Sequence, residues 1–295
     1  MSSIDTFVST TTYLKEHYLP LIKSRQTFLL TLTGMAGYLS LRFVPADWPR
    51  FASLVGSMLV TIGGCTVINM VFDRDIDQKM NRTRRRPLAL QPGNARSAAI
   101  LGGALLILGL MWSLALSWLY FGLALAGAVL DGVIYTMWLK RRSAWSIIWG
   151  GLSGGIPILA GRVLALGRID LIGLLLGVAI VAWIPSHNLT LDMLYSKDFL
   201  QAGVPTFINV YGLPLTRAFV ALSSLAAIIL MGLPFVMLHF SLPVIVILGA
   251  GSLGLVGMAF YVWILSAKRA VATLYRYSSF YMLAAMLLLM LAAIK

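Results

Sequence analysis

Long apolar stretches follow one another along this 295-residue chain and are separated by short polar connections. A helix needs about 20 predominantly apolar residues to cross the hydrocarbon core of a bilayer. The sequence therefore predicts an all-α, polytopic membrane protein with about nine transmembrane helices bundled around a central cavity. The expected spans are 27–44, 51–72, 97–116, 118–136, 146–163, 170–187, 213–238, 243–266 and 271–294.

The composition excludes most other classes of protein. Only 11% of the residues are charged, against about 25% in a soluble domain. The mean hydropathy of +0.88 excludes a disordered or coiled-coil chain. No soluble insertion interrupts the pattern, so residues 1–295 are expected to form a single domain. The first 26 residues lack a continuous apolar core, so no cleavable signal peptide is expected.

The basic residues indicate how the chain lies in the membrane. The formal net charge is +13, and most of the 23 Lys and Arg residues fall in the N-terminal region and after the second, fourth, sixth and eighth spans. By the positive-inside rule, the N-terminus is expected in the cytoplasm and the C-terminus outside the plasma membrane. The positive charge also suits polyanionic substrates and the anionic headgroups of the lipid bilayer. Nucleic acid is not expected as a partner.

Acidic residues are scarce and clustered. The chain has ten of them, and half lie where a helix meets a loop on the predicted cytoplasmic face. The first cluster contains Asp73, Asp75 and Asp77, and the second contains Asp192 and Asp198. Because close carboxylates repel one another unless a cation offsets them, the clusters favour a metal–diphosphate site. A solvated loop that only sets topology is the alternative, and it is stronger for the second cluster.

The spacing within the first cluster suits a metal. Asn69, Asp73 and Asp77 are four residues apart and share one face if the second span stays helical to that point. Mg²⁺ typically takes one or two carboxylates, with water and substrate phosphate completing its shell. Asp75 points elsewhere on such a helix, and we expect it to pair with Arg74 or with a loop arginine.

Basic residues adjoin the first cluster and the fourth span. The two groups are Arg82 with Arg84, Arg85 and Arg86, and Lys140 with Arg141 and Arg142. Guanidinium forks and ammonium charges bind phosphate oxygens. Arg82 and Lys140 are the strongest candidates for diphosphate contacts, and the alternative for each is a topology anchor.

The run NMVFDRDIDQKMNRTRRRPL at residues 69–88 closely resembles the first Asp-rich motif of the UbiA superfamily of intramembrane prenyltransferases, in the form found in its protohaem IX farnesyltransferase branch. The resemblance extends from about residue 20 to 212. Its other parts are LIKSR at 21–25, YTMWLKRRS at 135–143, GGLSGGIP at 150–157, and the stretch 185–205 that begins PSH and ends AGVP. A nine-helix bundle is what this superfamily implies.

The resemblance also implies a reaction: transfer of a farnesyl group from farnesyl diphosphate to protohaem IX, with Mg²⁺ as cofactor. The residues implied for two metals are Asn69, Asp73 and Asp77 for one, and Asp198 with Asp192 or Asn188 for the other. The residues implied for the diphosphate are Arg82 and Lys140, with Lys23, Arg25, Arg86 and Arg141 as further candidates. Tyr135 would face the reacting carbon or pack, and His187 would contact the acceptor or have a structural role. The catalytic set is thus Asp73, Asp77, Lys140 and Tyr135.

Two departures from the branch leave other functions open. The second motif reads HNLTLD at 187–192, where the branch usually has HFWALA. Further along, Lys197-Asp198 stands where the branch usually has a pair of aspartates. An aromatic quinone precursor or a glycerol-ether lipid is therefore an alternative prenyl acceptor.

Asp131 lies within the fourth span, and an ionisable residue at membrane depth is a functional-site hypothesis by default. It also permits a second alternative, an ion-coupled transporter.

Overall fold

Nine long helices account for most of residues 19–22, 24–41, 43–265 and 267–294, which the computed structural model describes. They are α1 Ser24–Leu39, α2 Trp48–Lys79, α3 Ala95–Leu116, α4 Trp118–Ala128 with a π-helical continuation at Val129–Leu139, α5 Ser146–Leu166, α6 Leu171–Gln201, α7 Phe207–Met237, α8 Leu242–Leu265 and α9 Lys268–Met290. Short helical turns lie at Leu19–Ile22, Pro45–Asp47, Pro87–Leu90, Pro92–Asn94 and Leu291–Ile294.

The predicted all-α polytopic fold is confirmed. In the described part of the chain, seven helices, α2 to α8, are long and apolar enough to cross a membrane. Helix α1 has 16 residues, and α9 begins with the basic pair Lys268 and Arg269; both pack within the same bundle. The expected spans 97–116 and 118–136 leave a single residue between them, and the structure agrees, since the extended residue Ser117 alone separates α3 from α4.

Three helices extend further at one end of the bundle than the apolar pattern predicts. Helix α2 runs to Lys79, α6 runs to Gln201 and α7 begins at Phe207, where the expected limits were 72, 187 and 213. An apolar pattern detects contact with lipid and stops at the first charged residue. In the last turns of α2, polar residues instead face other parts of the protein, as the 3% exposure of Asp73 shows, and the helix continues. The extensions of α6 and α7 each include a residue with non-helical backbone angles, Tyr195 and Gly212 respectively.

Small residues bring helices α1 and α5 into backbone contact. A Cβ on Gly37 would overlap the carbonyl of Ile158, and a Cβ on Gly161 would overlap the carbonyl of Gly34. Such close approach is typical of helix pairs in membranes, where packing must supply the attraction that lipid does not. The largest apolar core lies among α6, α7, α8 and α9.

A buried ion pair ties three elements together at the other end of the bundle. Arg162 of α5 donates to Asp170 at 2.7 Å and to the hydroxyl of Ser40 at 2.7 Å. Asp170 also accepts the backbone N–H of Gly173 at 2.9 Å and so caps α6. Partial burial acts to raise the pKa of Asp170, but the bonds from Arg162 and Gly173 outweigh it and hold the pKa below its ordinary value.

Candidate active site

The last turns of α2 present a polar face to the interior of the bundle. Asn69, Asp73 and Asp77 are 6%, 3% and 3% exposed and are spaced by four residues on one continuous helix. The predicted shared face is therefore confirmed, because α2 continues past all three residues.

Both buried carboxylates of this face are paired with cations from the loops. The Nζ atom of Lys140 lies 2.5 Å from Oδ2 of Asp73, and Nη1 of Arg86 lies 2.9 Å from each oxygen of Asp77. Burial acts to lower the pKa of the Lys140 ammonium, but Tyr135 and Asp73 outweigh it and raise the pKa above its ordinary value. Lys140 is therefore charged at neutral pH.

Asp75 lies on the other side of α2, as predicted, and pairs with a loop arginine. Arg141 contacts both of its carboxylate oxygens at 2.7 Å and donates to the carbonyl of Phe72 at 2.6 Å. The hydrogen bond to Asp75 raises the pKa of Arg141. This exposed ion pair places Arg141 on the outer side of the end of α2, away from the buried face.

One oxygen of Asp73 is available to a cation. Its Oδ1 atom is buried and has no hydrogen-bond partner among the described residues, which is an unfavourable state for a carboxylate. No group of three His, Cys, Asp or Glu side chains in the described ranges forms a metal site unaided. Because Mg²⁺ completes its shell with water and substrate phosphate, one or two carboxylates here fit Mg²⁺ that binds together with a diphosphate.

The π-helical end of α4 faces this part of α2. The ammonium of Lys140 lies 5.7 Å from the ring centroid of Tyr135. Gly150 of α5 makes room for that ring, because a Cβ there would lie 2.9 Å from it. Tyr135 is therefore held between α5 and the Lys140–Asp73 pair, and part of the glycine-rich stretch has a structural explanation.

The two acidic clusters lie at the same end of the bundle. Asp198 of α6 accepts hydrogen bonds from the Asn81 amide at 3.3 Å and from the backbone N–H of Arg82 at 3.2 Å. Asp192 lies close enough to Tyr135 to act on it electrostatically, as does Asp73. The end of α6 is thus bound directly to the loop that follows α2.

A cavity of about 790 Å³ adjoins Asp198. The guanidinium of Arg82 lies 5.5 Å from the ring centroid of Tyr195 within its wall. Its lining residues are Asn81, Arg82, Met193, Leu194, Tyr195, Ser196, Lys197, Asp198, Ile208, Leu213, Lys268 and Val271. Tyr195 and Lys268 are not among the site residues expected from the sequence. Lys268 was grouped with the basic loop residues that set topology, and nothing in the sequence places α9 beside α6.

His187 is stacked between two aromatic rings. The ring centroids of Trp183 and Tyr275 lie 4.8 and 4.5 Å from that of His187, and Nδ1 of His187 lies 3.2 Å from the Ser278 hydroxyl. These contacts agree with the structural alternative for His187. Tyr275 and Ser278 come from α9, about 90 residues further along the chain, so no local pattern predicts this stack.

The remaining predicted substrate-binding residues are more dispersed. Asn188 is half-buried on α6, one turn before Asp192, and Arg25 is exposed near the start of α1. Arg86 is engaged by Asp77. Lys23 lies outside the described residues.

Fold and site together define a polytopic helical membrane protein with a buried, charge-paired carboxylate face at one end of its bundle. The chain belongs to the UbiA prenyltransferase family, whose sequence profile matches residues 29–293, and it is therefore a prenyltransferase. This assignment favours an enzyme over the ion-coupled transporter.

Known proteins agree with the assignment. A protoheme IX farnesyltransferase of Thermofilum pendens is 40% identical over 213 residues, which cover 71% of this chain and 73% of the relative. A protoheme IX farnesyltransferase of Korarchaeum cryptofilum is 37% identical over 218 residues, which cover 74% of this chain and 73% of that relative.

Among solved structures, a UbiA homolog from Archaeoglobus fulgidus bound to DMAPP and Mg²⁺ has a TM-score of 0.70 at 16% identity, covering 92% of this chain and 99% of that one. A digeranylgeranylglyceryl phosphate synthase has a TM-score of 0.79 at 20% identity, covering 95% and 98%. At these identities the structural likeness shows a shared fold.

Proposed function

We propose that this prenyltransferase uses Mg²⁺ to transfer a farnesyl group from farnesyl diphosphate to protohaem IX, giving haem O. The observation that carries the chemistry is the buried Asp73 carboxylate, which has one oxygen available and lies on the same helix face as Asn69 and Asp77. The acceptor is inferred from similarity to relatives named protoheme IX farnesyltransferases.

Oxygen ligands from α2 and α6 would hold the metal. Asn69, Asp73 and Asp77 form the first set, and Asp198 with Asp192 or Asn188 forms the second. Mg²⁺, when bound, neutralises charge that develops on the diphosphate as the allylic C–O bond breaks.

The chain's own cations would bind the diphosphate oxygens. Lys140 is charged and is held in place by Asp73, and Arg82 lies at the junction of α2 and α6. Arg86 keeps the Asp77 carboxylate oriented through two contacts of 2.9 Å. Tyr135 lies beside Lys140, where its ring would face the reacting carbon. The prenyl tail would lie between the helices, where hydrocarbon burial contributes about 0.8 kcal/mol per CH₂.

The cavity beside Asp198 is a suitable place for the acceptor. Its wall combines apolar residues with the cations Arg82, Lys197 and Lys268, which suits an amphipathic ring carrying carboxylates. His187, in its aromatic stack, lies on the same helix, and a contact with the acceptor stays a prediction. From the positive-inside rule we expect this end to lie in the cytoplasm and the C-terminus to lie outside the plasma membrane.

An assay of the purified protein tests the proposal. Labelled farnesyl or geranylgeranyl diphosphate is supplied with protohaem IX, with an aromatic quinone precursor or with a glycerol-ether lipid alcohol. We expect farnesylated haem and diphosphate to appear together, and both to vanish when Mg²⁺ is chelated. Label transferred only to another acceptor would overturn the haem assignment, and turnover without divalent metal would overturn the metal assignment.

A further inference from the structure

Asp131 is an ionisable residue within an expected span, and the proposed function gives it no task. Its Oδ2 atom accepts a hydrogen bond of 2.7 Å from the side-chain amide of Asn69. The hydroxyl of Thr136, five residues further along α4, donates to the carbonyl oxygen of the same amide at 3.0 Å. Both ends of the Asn69 side chain are therefore fixed by α4.

The structure orients the Asn69 amide with its NH₂ group toward Asp131 and its carbonyl oxygen toward Thr136. An ionised carboxylate accepts hydrogen bonds and donates none, so it must face the NH₂ group of Asn69. The carbonyl oxygen then points away from Asp131. Thr136 occupies one of its two lone pairs, which leaves the other for a cation. Asn69 is 6% exposed and Thr136 is 1% exposed, so bulk water does not compete for these bonds.

The π-helix is what makes this arrangement possible. In an α-helix, the nine residues from Asp131 to Lys140 make roughly two and a half turns and place the two side chains on opposite faces. Hydrogen bonds from residue i to i+5 widen the turn, and residues five apart then lie above one another. The N–H of Lys140 donates to the carbonyl of Tyr135 at 2.9 Å in this way. Asp131, Thr136 and Lys140 consequently all face α2, and such π segments are frequent at functional sites.

We infer that Asp131 is a positioning residue, which fixes the Asn69 amide so that its carbonyl oxygen is directed at the metal. The inference rests on the proposed function, because it gives Asn69 a metal to bind. Asp131 would hold Asn69 as Lys140 holds Asp73, so α4 orients two of the three polar residues on the buried face of α2. Partners that orient a metal ligand typically contribute 10- to 100-fold to metal affinity.

Metal binding to the detergent-purified full chain tests the inference apart from turnover. The probe is Mn²⁺, followed by electron paramagnetic resonance in the presence of farnesyl S-thiolodiphosphate, an unreactive analogue of the donor. We expect Asp131→Leu to weaken Mn²⁺ binding about tenfold or more. Asp131→Asn should stay within about threefold of wild type, because its carbonyl oxygen still accepts the Asn69 hydrogen bond.

A double-mutant cycle separates positioning from a general structural role. In an Asn69→Ala background, Asp131→Leu should cause no further loss of Mn²⁺ affinity, because there is no amide left to orient. A structural role of Asp131 that does not act through Asn69 would lower affinity and thermal stability equally in both backgrounds, and that result would overturn the inference.

An exchanged pair keeps the test decisive if Asp131→Leu does not fold. Asn69→Asp alone places two carboxylates in contact and should weaken Mn²⁺ binding, since like charges repel. Adding Asp131→Asn restores the hydrogen bond with its polarity reversed, so affinity should recover. If affinity does not recover, or if Asp131→Leu binds Mn²⁺ like wild type, the inference about Asp131 is overturned and the proposed function is not. A wild-type protein that binds no Mn²⁺ with the analogue would overturn the proposed function and this inference with it.

Discussion

The carboxylates at the end of α2 and those at the end of α6 are held in different ways. Asp73, Asp75 and Asp77 each form a salt bridge with a lysine or arginine. Asp198 instead accepts hydrogen bonds from the neutral donors of the loop after α2, at 3.2 and 3.3 Å. Among the described residues, Asp192 and Asp198 form no salt bridge.

This difference indicates a division of labour. A buried carboxylate that already has a cation partner is kept in a fixed position, and removing the partner is costly. A carboxylate held only by neutral donors has no bound cation that an incoming metal must displace. We therefore expect α2 to supply a preorganised surface for the first metal and α6 to supply the charge that raises affinity for the second.

The largest effect should come from Asp73. Asp73→Asn keeps an acceptor for Lys140 but removes the charge, and we expect kcat to fall at least about 100-fold, as for other groups that stabilise developing charge. Asp75→Asn is the matched control on the exposed side of the same helix, and it should stay within about threefold because an exposed ion pair contributes little. Steady-state kinetics on both variants gives the comparison. Equal losses would show that the buried face has no special role.

A smaller effect should come from Asp198 and should differ in kind. Asp198→Asn can still accept one of the two hydrogen bonds from the loop, so we expect the Mg²⁺ concentration for half-maximal rate to rise about tenfold, with less change in kcat at saturating Mg²⁺. A Mg²⁺ titration of the rate measures this, with Lys79→Ala as a control at the exposed end of α2. A fall in kcat that excess Mg²⁺ does not relieve would contradict the division between the two ends.

The ion pairs that Asp73 and Asp75 of α2 form with Lys140 and Arg141 should differ in their contribution to the free energy of unfolding. Lys140→Met leaves the buried Asp73 carboxylate unpaired and should cost about 3 kcal/mol of the free energy of unfolding. Arg141→Met removes the partner of an exposed carboxylate and should cost under about 1 kcal/mol. Denaturant unfolding in detergent compares the two. If Arg141→Met is the more damaging, burial does not decide the strength of these pairs.

The smallest effect concerns alkaline pH. The pKa of Lys140 in the folded protein is raised, so its pair with Asp73 stabilises fully below the ordinary lysine value, about 10.4, and this stabilisation is lost as pH rises through the folded value. The stability difference between wild type and Lys140→Met should therefore be constant from pH 7 to about 10 and shrink above that. A difference that already shrinks near neutral pH would mean that the Lys140 pKa is lowered.

The fold and the α2 face could be predicted because they depend on local pattern. Apolar runs locate the helices, and a spacing of four residues places Asn69 beside Asp73 on one face. The predicted ends of α2 and α6 were wrong, because helical turns that carry polar residues and face the protein look like loops in an apolar pattern. Contacts such as those of Tyr275 with His187 join segments about 90 residues apart, and no local signal reports them.

The π-helix of α4 is a further case in which local pattern fails. Helical periodicity puts Asp131 and Lys140 on opposite faces, so local pattern does not predict that Asp131 lies beside Asn69. The wider turn puts them on the same face, and the hydrogen bond to Asn69 follows from it. No propensity in the run VLDGVIYTMWL predicts that turn.

The central claim is that α2 and α6 bind one metal–diphosphate unit together. The most direct measurement is Mg²⁺-dependent binding of farnesyl S-thiolodiphosphate to wild type, Asp73→Asn, Asp198→Asn and the double variant. Residues that act on one ligand give non-additive effects, so we predict that the double variant binds no more weakly than the weaker single variant. Losses that simply multiply would show two independent sites and contradict the account.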